Sequence, residues 1–379
     1  MAHAADPDAH RVHGMGEALE APVWPPITAA EAAAVIARFP AAGRFAALRW
    51  HSPRPFSAAA LIDTDRGALL LKRHHCSIRS VAGLAEEHRF IAHLADAGLP
   101  VPQGLASDDD ASAIAIDSSC YELHVAAPGI DLYRERQSWT PYLSRDHAYA
   151  AGGMLARLHE AARDYAAPPR APAPLIASFT ILPAPDPLAT AQAYVAARPR
   201  LAAFLATRPW QEQLAAVLTQ HAGGLAERLA PQPSLWTHND WHPSNLLWTP
   251  QGTVRTVIDF GLADRSCAVQ DIATAIERML NWLDLPQTDA IADPAAVTAL
   301  LAGYAAVRPL GAADRATIAW LLPLSHLEFA LSEADYFTAV VDDPAAAALA
   351  WDGYAIGHVG WFATPPGRAL LATIRGTGG

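Results

Sequence analysis

The chain is poor in the features that mark several large classes of protein. Its three cysteines, Cys76, Cys120 and Cys267, are isolated in the sequence and odd in number. That excludes a disulfide framework and a C-x-x-C metal knuckle, and it fits a reducing cytoplasm. Basic residues are few: 27 Lys and Arg stand against 38 Asp and Glu, a net charge of −11. A nucleic-acid binder would carry a basic patch or stripe, so that partner class is excluded. The excess of acid suits an amine-bearing small molecule, or simply solubility. No apolar run is long enough to cross a bilayer. The most apolar late stretch, 318–331, is interrupted by Pro323, Ser325, His326 and Glu328. The opening residues lack the basic and apolar regions of a signal peptide. A soluble, cytoplasmic protein without a membrane partner is expected, of undetermined oligomeric state.

With 379 residues and 52% hydrophobic content, the chain can bury a large core divided between two lobes. Its many alanines favour helix. Residues 1–27 read as a polar, loosely packed extension. Thr28 and Glu31 form a capping box that opens a helix to about Phe39. Strands are expected over 45–50, 58–63 and 68–73, followed by a helix over 80–97 that Gly98 and Pro100 end. Short strands over 114–116 and 121–125 lead to Ala126-Ala127-Pro128-Gly129, a hinge at about 125–129. Beyond it the pattern is helical: from the Ser144 cap to about Arg163, then 187–207, 210–229, 272–283, 295–307, 312–340 with a break at Pro323, and 344–356.

Leu84, Ile91 and Leu94 mark the buried face of the helix over 80–97, and Glu87 lies on that face. A carboxylate on an apolar stripe must find a partner or neutralise. Lys72, on the preceding strand, is its candidate. Arg73, pointing to the opposite face of that strand, and Glu86, on a flanking helix face, are the alternatives.

The most informative segment is Thr237-His238-Asn239-Asp240-Trp241-His242-Pro243-Ser244-Asn245, followed after a hairpin-length turn by Val257-Ile258-Asp259-Phe260-Gly261. Asp240 and Asn245 are five positions apart and Asp259 follows fourteen later. Phosphoryl transfer to a hydroxyl needs a carboxylate to orient and accept the proton, with hard oxygen ligands for magnesium. An Asp, an Asn and a second Asp in that order supply both. His238 and His242 are spaced for zinc only on a helix; on a loop, His238 reads as a structural residue bonded to the backbone. Asp271 reads as the N-cap of the helix that follows. Trp241, Glu328, Glu333 and Asp335 either line an acceptor pocket or are, respectively, core and solvated helix face. The remaining histidines read as surface residues.

The order H-x-D-x-x-x-x-N and then D-F-G resembles the catalytic loop and metal site of protein-kinase-like enzymes. His238-Asn239-Asp240 is closest to the aminoglycoside phosphotransferase, choline kinase and homoserine kinase superfamily. Leu155-Ala156-Arg157-Leu158-His159 and Asp271-Ile272-Ala273 are also similar to it, so the likeness covers roughly residues 65–285. It implies an α+β, protein-kinase-like two-lobed fold: a small antiparallel-sheet lobe over 28–125 that binds nucleotide, and a larger helical lobe over 126–379 that carries catalysis and substrate. The implied activity is an ATP-dependent small-molecule kinase, with ATP and Mg²⁺ as cofactors. Asp240 would be the base, Asn245 and Asp259 the metal ligands, Lys72 and Glu87 the phosphate-binding pair, and Val125 and Ala127 the hinge positions at the adenine. The alternatives are a protein Ser/Thr kinase and a catalytically silent nucleotide-binding protein. The loop over 51–57 holds no glycine, whereas protein kinases cover the phosphates with a Gly-rich loop. No A-P-E segment follows Gly261, so the first alternative is disfavoured.

Overall fold

A computed structural model of the chain describes residues 10–14, 18–176, 179–282 and 291–376. The chain divides into two compact units, residues 1–92 with 102–128, and residues 93–101 with 129–379.

The first unit is built on a five-stranded antiparallel sheet in the order β3-β4-β5-β7-β6. Its strands are β3 (Phe45–His51), β4 (Ala58–Thr64), β5 (Gly67–His75), β6 (Ile114–Ile116) and β7 (Ser119–Val125). Helix α1 (Ala29–Ile36) opens on the expected capping box, with Thr28 and Glu31 bonding each other's backbone N–H. It packs Ala32, Val35 and Ile36 against Ala60, Ile62, Leu71 and Leu123 of the sheet. Each large apolar side chain so buried stabilises the unit by about 1.5–3 kcal/mol. Within the expected extension, β1 (Val12–His13) pairs with β2 (Leu19–Glu20) and Val12 is buried. That part is packed, not loose, because the His13 N–H also bonds the Pro53 carbonyl. Residues 1–9 and 15–17 lie outside the described residues.

Register decides which side chains share a face. In the β5–β7 ladder Lys72 stands opposite Glu122, and Arg73 opposite Tyr121. Arg73 and Tyr121 turn to the α1 side and meet Glu31 at 2.7 and 2.9 Å. Lys72 and Glu122 face the other way. Helix α2 (Val81–Asp96) follows β5, with Leu84 and Leu94 fully buried. Cys76 and Cys120, isolated in the sequence, come together with their Sγ atoms 3.2 Å apart.

The second unit is mostly helical. It holds α3 (Arg145–Ala161), α4 (Pro187–Ala196), α5 (Pro199–Leu205), α6 (Trp210–His221) and α7 (Leu225–Leu229). Strands β8 (Ser234–Thr237), β9 (Leu246–Trp248), β10 (Val254–Val257) and β11 (Asp264–Cys267) come next. The chain then forms α8 (Ala268–Glu277), α9 (Pro294–Ala305), α10 (Ala312–Leu321), α11 (Leu327–Tyr336), α12 (Pro344–Ala348), α13 (His358–Phe362) and α14 (Pro365–Arg375). The long helices expected over 187–207 and 210–229 are each split, one at Pro199 and the other at Gly224, whose φ is +71°. Proline fixes a helix start and glycine accepts the left-handed backbone. Pro323 breaks the next helix with a 3₁₀ turn, as expected, while Leu349–Gly357 winds into a wider π-type helix.

Helices α3 and α9 approach until a Cβ on Gly152 would lie 1.9 Å from the Leu300 carbonyl, and one on Gly303 1.9 Å from that of Tyr149. Glycine inside a helix costs about 1 kcal/mol in propensity, and here it permits backbone contact. That contact sets His159 of α3 against Tyr304 of α9, with His159 Nδ1 2.8 Å from the tyrosine hydroxyl. Among the described residues no helix is long and apolar enough to cross a membrane.

Candidate active site

The loop that carries Asp240 is held by two short ladders. Strand β8 pairs with β11, and β9 with β10. Residues 238–242 run from β8 to a 3₁₀ turn over Pro243–Asn245. Two residues take left-handed backbone that non-glycine residues rarely adopt, Asn239 at φ +59° and Asp259 at φ +60°. Such strain persists only where the surroundings over-determine it, and it clusters at functional sites.

The surroundings do so here. Asp271 accepts from the backbone N–H groups of His238 and Asn239, at 3.0 and 2.8 Å, and from His159 Nε2 at 3.0 Å. It is not the N-cap: α8 begins at Ala268 with Cys267 in that position. The carboxylate sits in the first turn instead, where the helix dipole favours negative charge, and spends its oxygens on the loop. His238 donates from Nε2 to the Ile258 carbonyl at 3.0 Å, which leaves Nδ1 to accept from the Asp240 N–H at 3.3 Å. It is the backbone-bonded residue expected. The side chain of Asn239 ties the loop to β11 through the Leu262 and Asp264 carbonyls.

Asp240 and Asn245 are brought together. The Asn245 amide donates to the Asp240 carbonyl at 3.0 Å and to Oδ2 at 3.2 Å. With its nitrogen so engaged, the amide oxygen points away from Asp240. Asp259 is exposed, just beyond β10. One amide oxygen and one carboxylate suit magnesium, which keeps most of its water.

Arg278 and His242 press on Asp240. Arg278 Nε lies 2.9 Å from Oδ1, and His242 Nε2 lies 3.4 Å from Oδ2. Burial would raise the Asp240 carboxyl, but the charges of His242 and Arg278 outweigh it and hold it far below the usual range. Arg278 is itself buried, with its guanidinium 3.9 Å from the Trp139 ring and 4.9 Å from that of Phe329. Its Nη1 donates to Glu277 at 3.3 Å and lies 3.2 Å from His326 Nδ1. Beyond it, Glu277 Oε1 is 2.9 Å from His358 Nδ1, and His326 Nε2 donates to Glu333 at 3.2 Å. Burial drives His358 down to about 4, although Glu277 pulls it up.

Sequence reasoning missed Arg278, Glu277, His326, His358 and Trp139. Arg278 follows Asp271 by seven residues, two helical turns, so the helix that braces the catalytic loop had to aim a residue near 278 the same way. The late acids are not a solvated face, because all three are buried. Glu333 joins this cluster, Asp335 pairs with Arg198 at 3.3 Å, and Glu328 accepts from the backbone N–H groups of residues 180–182. Trp241 is core. His74, His124, His159, His326 and His358 are buried, where a surface position was expected. The order of polar residues around them hides the folds that enclose them.

In the first unit Lys72 lies 3.6 Å from Glu122, a residue that sequence reasoning did not select. A compositional signal for Lys72 was present: it is the sole lysine in the chain. Glu87 is buried. Val125 ends β7 and donates its N–H to the Gln103 carbonyl; Ala127 follows the strand. Among the described residues two groups have the composition of transition-metal sites, His88 with Glu122 and His124, and Glu277 with His326 and His358. Each has a fixed cation against it, Lys72 in one and Arg278 in the other.

Comparison with known proteins places this geometry. A homoserine kinase of Phenylobacterium zucineum (strain HLK1) is 35% identical over 121 residues, 31% of this chain and 35% of that protein. The chain thus spans about a third of that curated relative. Among solved structures, a microcompartment-associated aminopropanol kinase superposes with a TM-score of 0.61 at 19% identity, over 90% of this chain and all of that one. An amicoumacin kinase in complex with AMP-PNP, Ca²⁺ and Ami gives 0.52 at 17% identity, over 88% and 86%. These likenesses establish an α+β, kinase-like fold. The profile of the phosphotransferase enzyme family matches residues 54–310, more than half of the sequence, and the chain belongs to that family.

Proposed function

We propose that the protein transfers the γ-phosphate of ATP to a hydroxyl of a small, amine-bearing molecule. The observation that carries this reading is the fixed pair of Asp240 and Asn245, on a loop whose strained backbone is clamped by Asp271. Asp240 orients the acceptor hydroxyl and takes its proton. Asn245 and Asp259 would hold magnesium, which when bound neutralises phosphate charge. Lys72, with Glu87 as its helix-borne partner, would bind the phosphates, and the backbone at Val125 and Ala127 would meet the adenine. Retention of the base, both oxygen ligands and the lysine speaks against a catalytically silent protein.

The acceptor's place is supported by buried polar atoms that lack an aligned hydrogen-bond partner. Asp240 Oδ1, Glu277 Oε1, Arg278 Nε, Glu333 Oε1 and both ring nitrogens of His358 are of this kind. Buried polar groups are normally satisfied, and this set is linked contact by contact to the catalytic carboxylate. Asp240, Glu277 and Glu333 share this cluster with Arg278, His242 and His326, and Trp139, Phe329 and Tyr354 surround His326. Carboxylates with aromatic rings suit an ammonium group.

A thermal-shift screen with ATP–Mg²⁺ and a panel of amino alcohols, aminoglycosides and sugars, followed by ADP release, tests the reading. Stabilisation by ATP–Mg²⁺, with further stabilisation and ADP release for an amine-bearing alcohol, is expected. Turnover on generic protein substrates and on none of the panel would overturn it.

A further inference from the structure

We propose that Glu122 is a second positioning carboxylate for Lys72, and that His74, His88 and His124 set how firmly it holds the ammonium group. The proposal rests on the reading of Lys72 as the phosphate-binding lysine, but its test does not require catalysis.

The register brings the partners together. Lys72 and Glu122 are direct neighbours across β5 and β7, and side chains two apart share a strand face, which adds His74 and His124. His88 reaches the same point from α2. Glu122 Oε1 accepts from His74 Nε2 at 2.9 Å and has Lys72 Nζ at 3.6 Å. Its Oε2 accepts from the Nε2 atoms of His88 and His124, both at 2.7 Å. A carboxylate offers about four lone-pair sites. Three imidazole N–H groups take three of them and the ammonium stands within ion-pair reach, so the Glu122 side chain cannot turn without breaking these contacts.

A bound metal ion fits these contacts poorly. Each Nε2 must carry a proton to bond a carboxylate, and the Nδ1 atoms of His88 and His124 are the ones left without a partner. An ion at the carboxylate would also have to displace Lys72. The group is a hydrogen-bonded hub in which the lysine is the permanent cation paired with Glu122.

A strand-borne anchor differs from a helix-borne one. Glu87 can shift with α2, whereas Glu122 is fixed by the sheet ladder and moves only with it. His88 links that anchor to α2. The charged and titratable groups that face the hub are Lys72 and His74 from β5, Glu122 and His124 from β7, Glu87 and His88 from α2, and Arg79 from the turn before it. Burial works against protonating His88, but Glu122 and Glu87 raise it overall, while burial keeps His74 lowered. His88, which joins the hub to α2, is the ring that both carboxylates press toward its protonated form. An imidazolium there shares the Glu122 charge and loosens its hold on Lys72.

Because Lys72 is the only lysine, incorporation of lysine labelled with ¹³C at Cε gives one side-chain signal that needs no assignment. In the full chain without nucleotide, that signal should show an inflection in the histidine range as pH is varied. His88→Gln should remove the inflection and leave the fold intact. Glu122→Gln should remove it and move the ammonium's own titration to lower pH, since an adjacent anion is lost. A wild-type signal without a histidine-range inflection overturns the proposal, and so does one that survives His88→Gln. The wild-type and His88→Gln arms decide even if Glu122→Gln does not fold. Absence of ADP release by the wild type would sink the kinase reading and leave these outcomes standing.

Discussion

Glu122 in the first unit and Glu328 in the second are both nearly inaccessible to water, and they meet burial in opposite ways. Glu122 faces a lysine and three imidazoles. Burial pushes its carboxyl up, but the Lys72 charge and the imidazole contacts win and hold it well below the usual range. Glu328 accepts from backbone N–H groups of Thr180, Ile181 and Leu182 at 2.8–3.0 Å. Those bonds favour the anion, yet burial prevails and lifts it to about 7. Backbone dipoles stabilise a carboxylate less than a full positive charge does at similar distance. Between these extremes stands the Asp240 cluster, where one guanidinium is shared among several carboxylates. The first arrangement fixes geometry, the second links stability to pH, and the third leaves polar atoms without an aligned hydrogen bond beside Asp240.

The largest effect comes from breaking the third arrangement at its centre. Asp240→Asn preserves shape and removes the proposed base, so turnover should fall by roughly 10²–10⁴-fold. ATP–Mg²⁺ should bind almost as well as to the wild type, because other groups hold it. Asp259→Asn should differ by raising the magnesium requirement as well as slowing turnover. Calorimetry of nucleotide binding, paired with ADP release, separates the two. Near-normal turnover in Asp240→Asn would remove the base from the mechanism.

Arg278→Met tests the charge balance rather than the chemistry. The substitution keeps an apolar stem against Trp139 and Phe329 but removes the guanidinium that Asp240 and Glu277 share. Removing one partner of a buried ion pair costs about 3–5 kcal/mol. The denaturation midpoint of Arg278→Met should therefore drop, and low pH should restore part of the loss by protonating the carboxylates. A variant as stable as the wild type at neutral pH would show that these carboxylates do not need Arg278.

How far the sequence could be read follows from the range of the forces involved. The Thr28–Glu31 cap, the strands of the first sheet and the catalytic segment depend on neighbours a few residues away, and they are legible. The α+β, kinase-like fold follows from them. Arg278 beside Asp240, His358 beside Glu277 and His74 beside Glu122 are separated by dozens of residues and meet only after folding. Histidine gives no periodic signal of its own, so its burial could not be read. Asp271 was placed at the right point and given the wrong task, because helix starts are uncertain by a turn. The late acids were misjudged because three carboxylates near one another suggest solvent, whereas Arg198, His326 and the backbone at 180–182 pair with them from far along the chain.

The smallest predicted effect sharpens the contrast between Glu122 and Glu328. A carboxyl lifted from 4.5 to about 7 on folding holds a proton in the native state that the unfolded chain has released. Its contribution is fully present below pH 4.5 and is lost as pH rises through 7. The slope between those limits is at most about 1.4 kcal/mol per pH unit. Glu328→Gln replaces the carboxyl with a permanently neutral amide, which sets a reference for that proton. One amide oxygen serves the three backbone N–H groups less well than two, so the variant should be less stable than the wild type at pH 5. The deficit should shrink by pH 8, where wild-type Glu328 has become a buried anion. Urea unfolding of both proteins at several pH values gives the difference directly, because contributions from all other titrating groups cancel. A deficit that stayed constant from pH 5 to 8 would mean that Glu328 is ionised throughout, and that backbone N–H groups can do for it what Lys72 and the imidazoles do for Glu122.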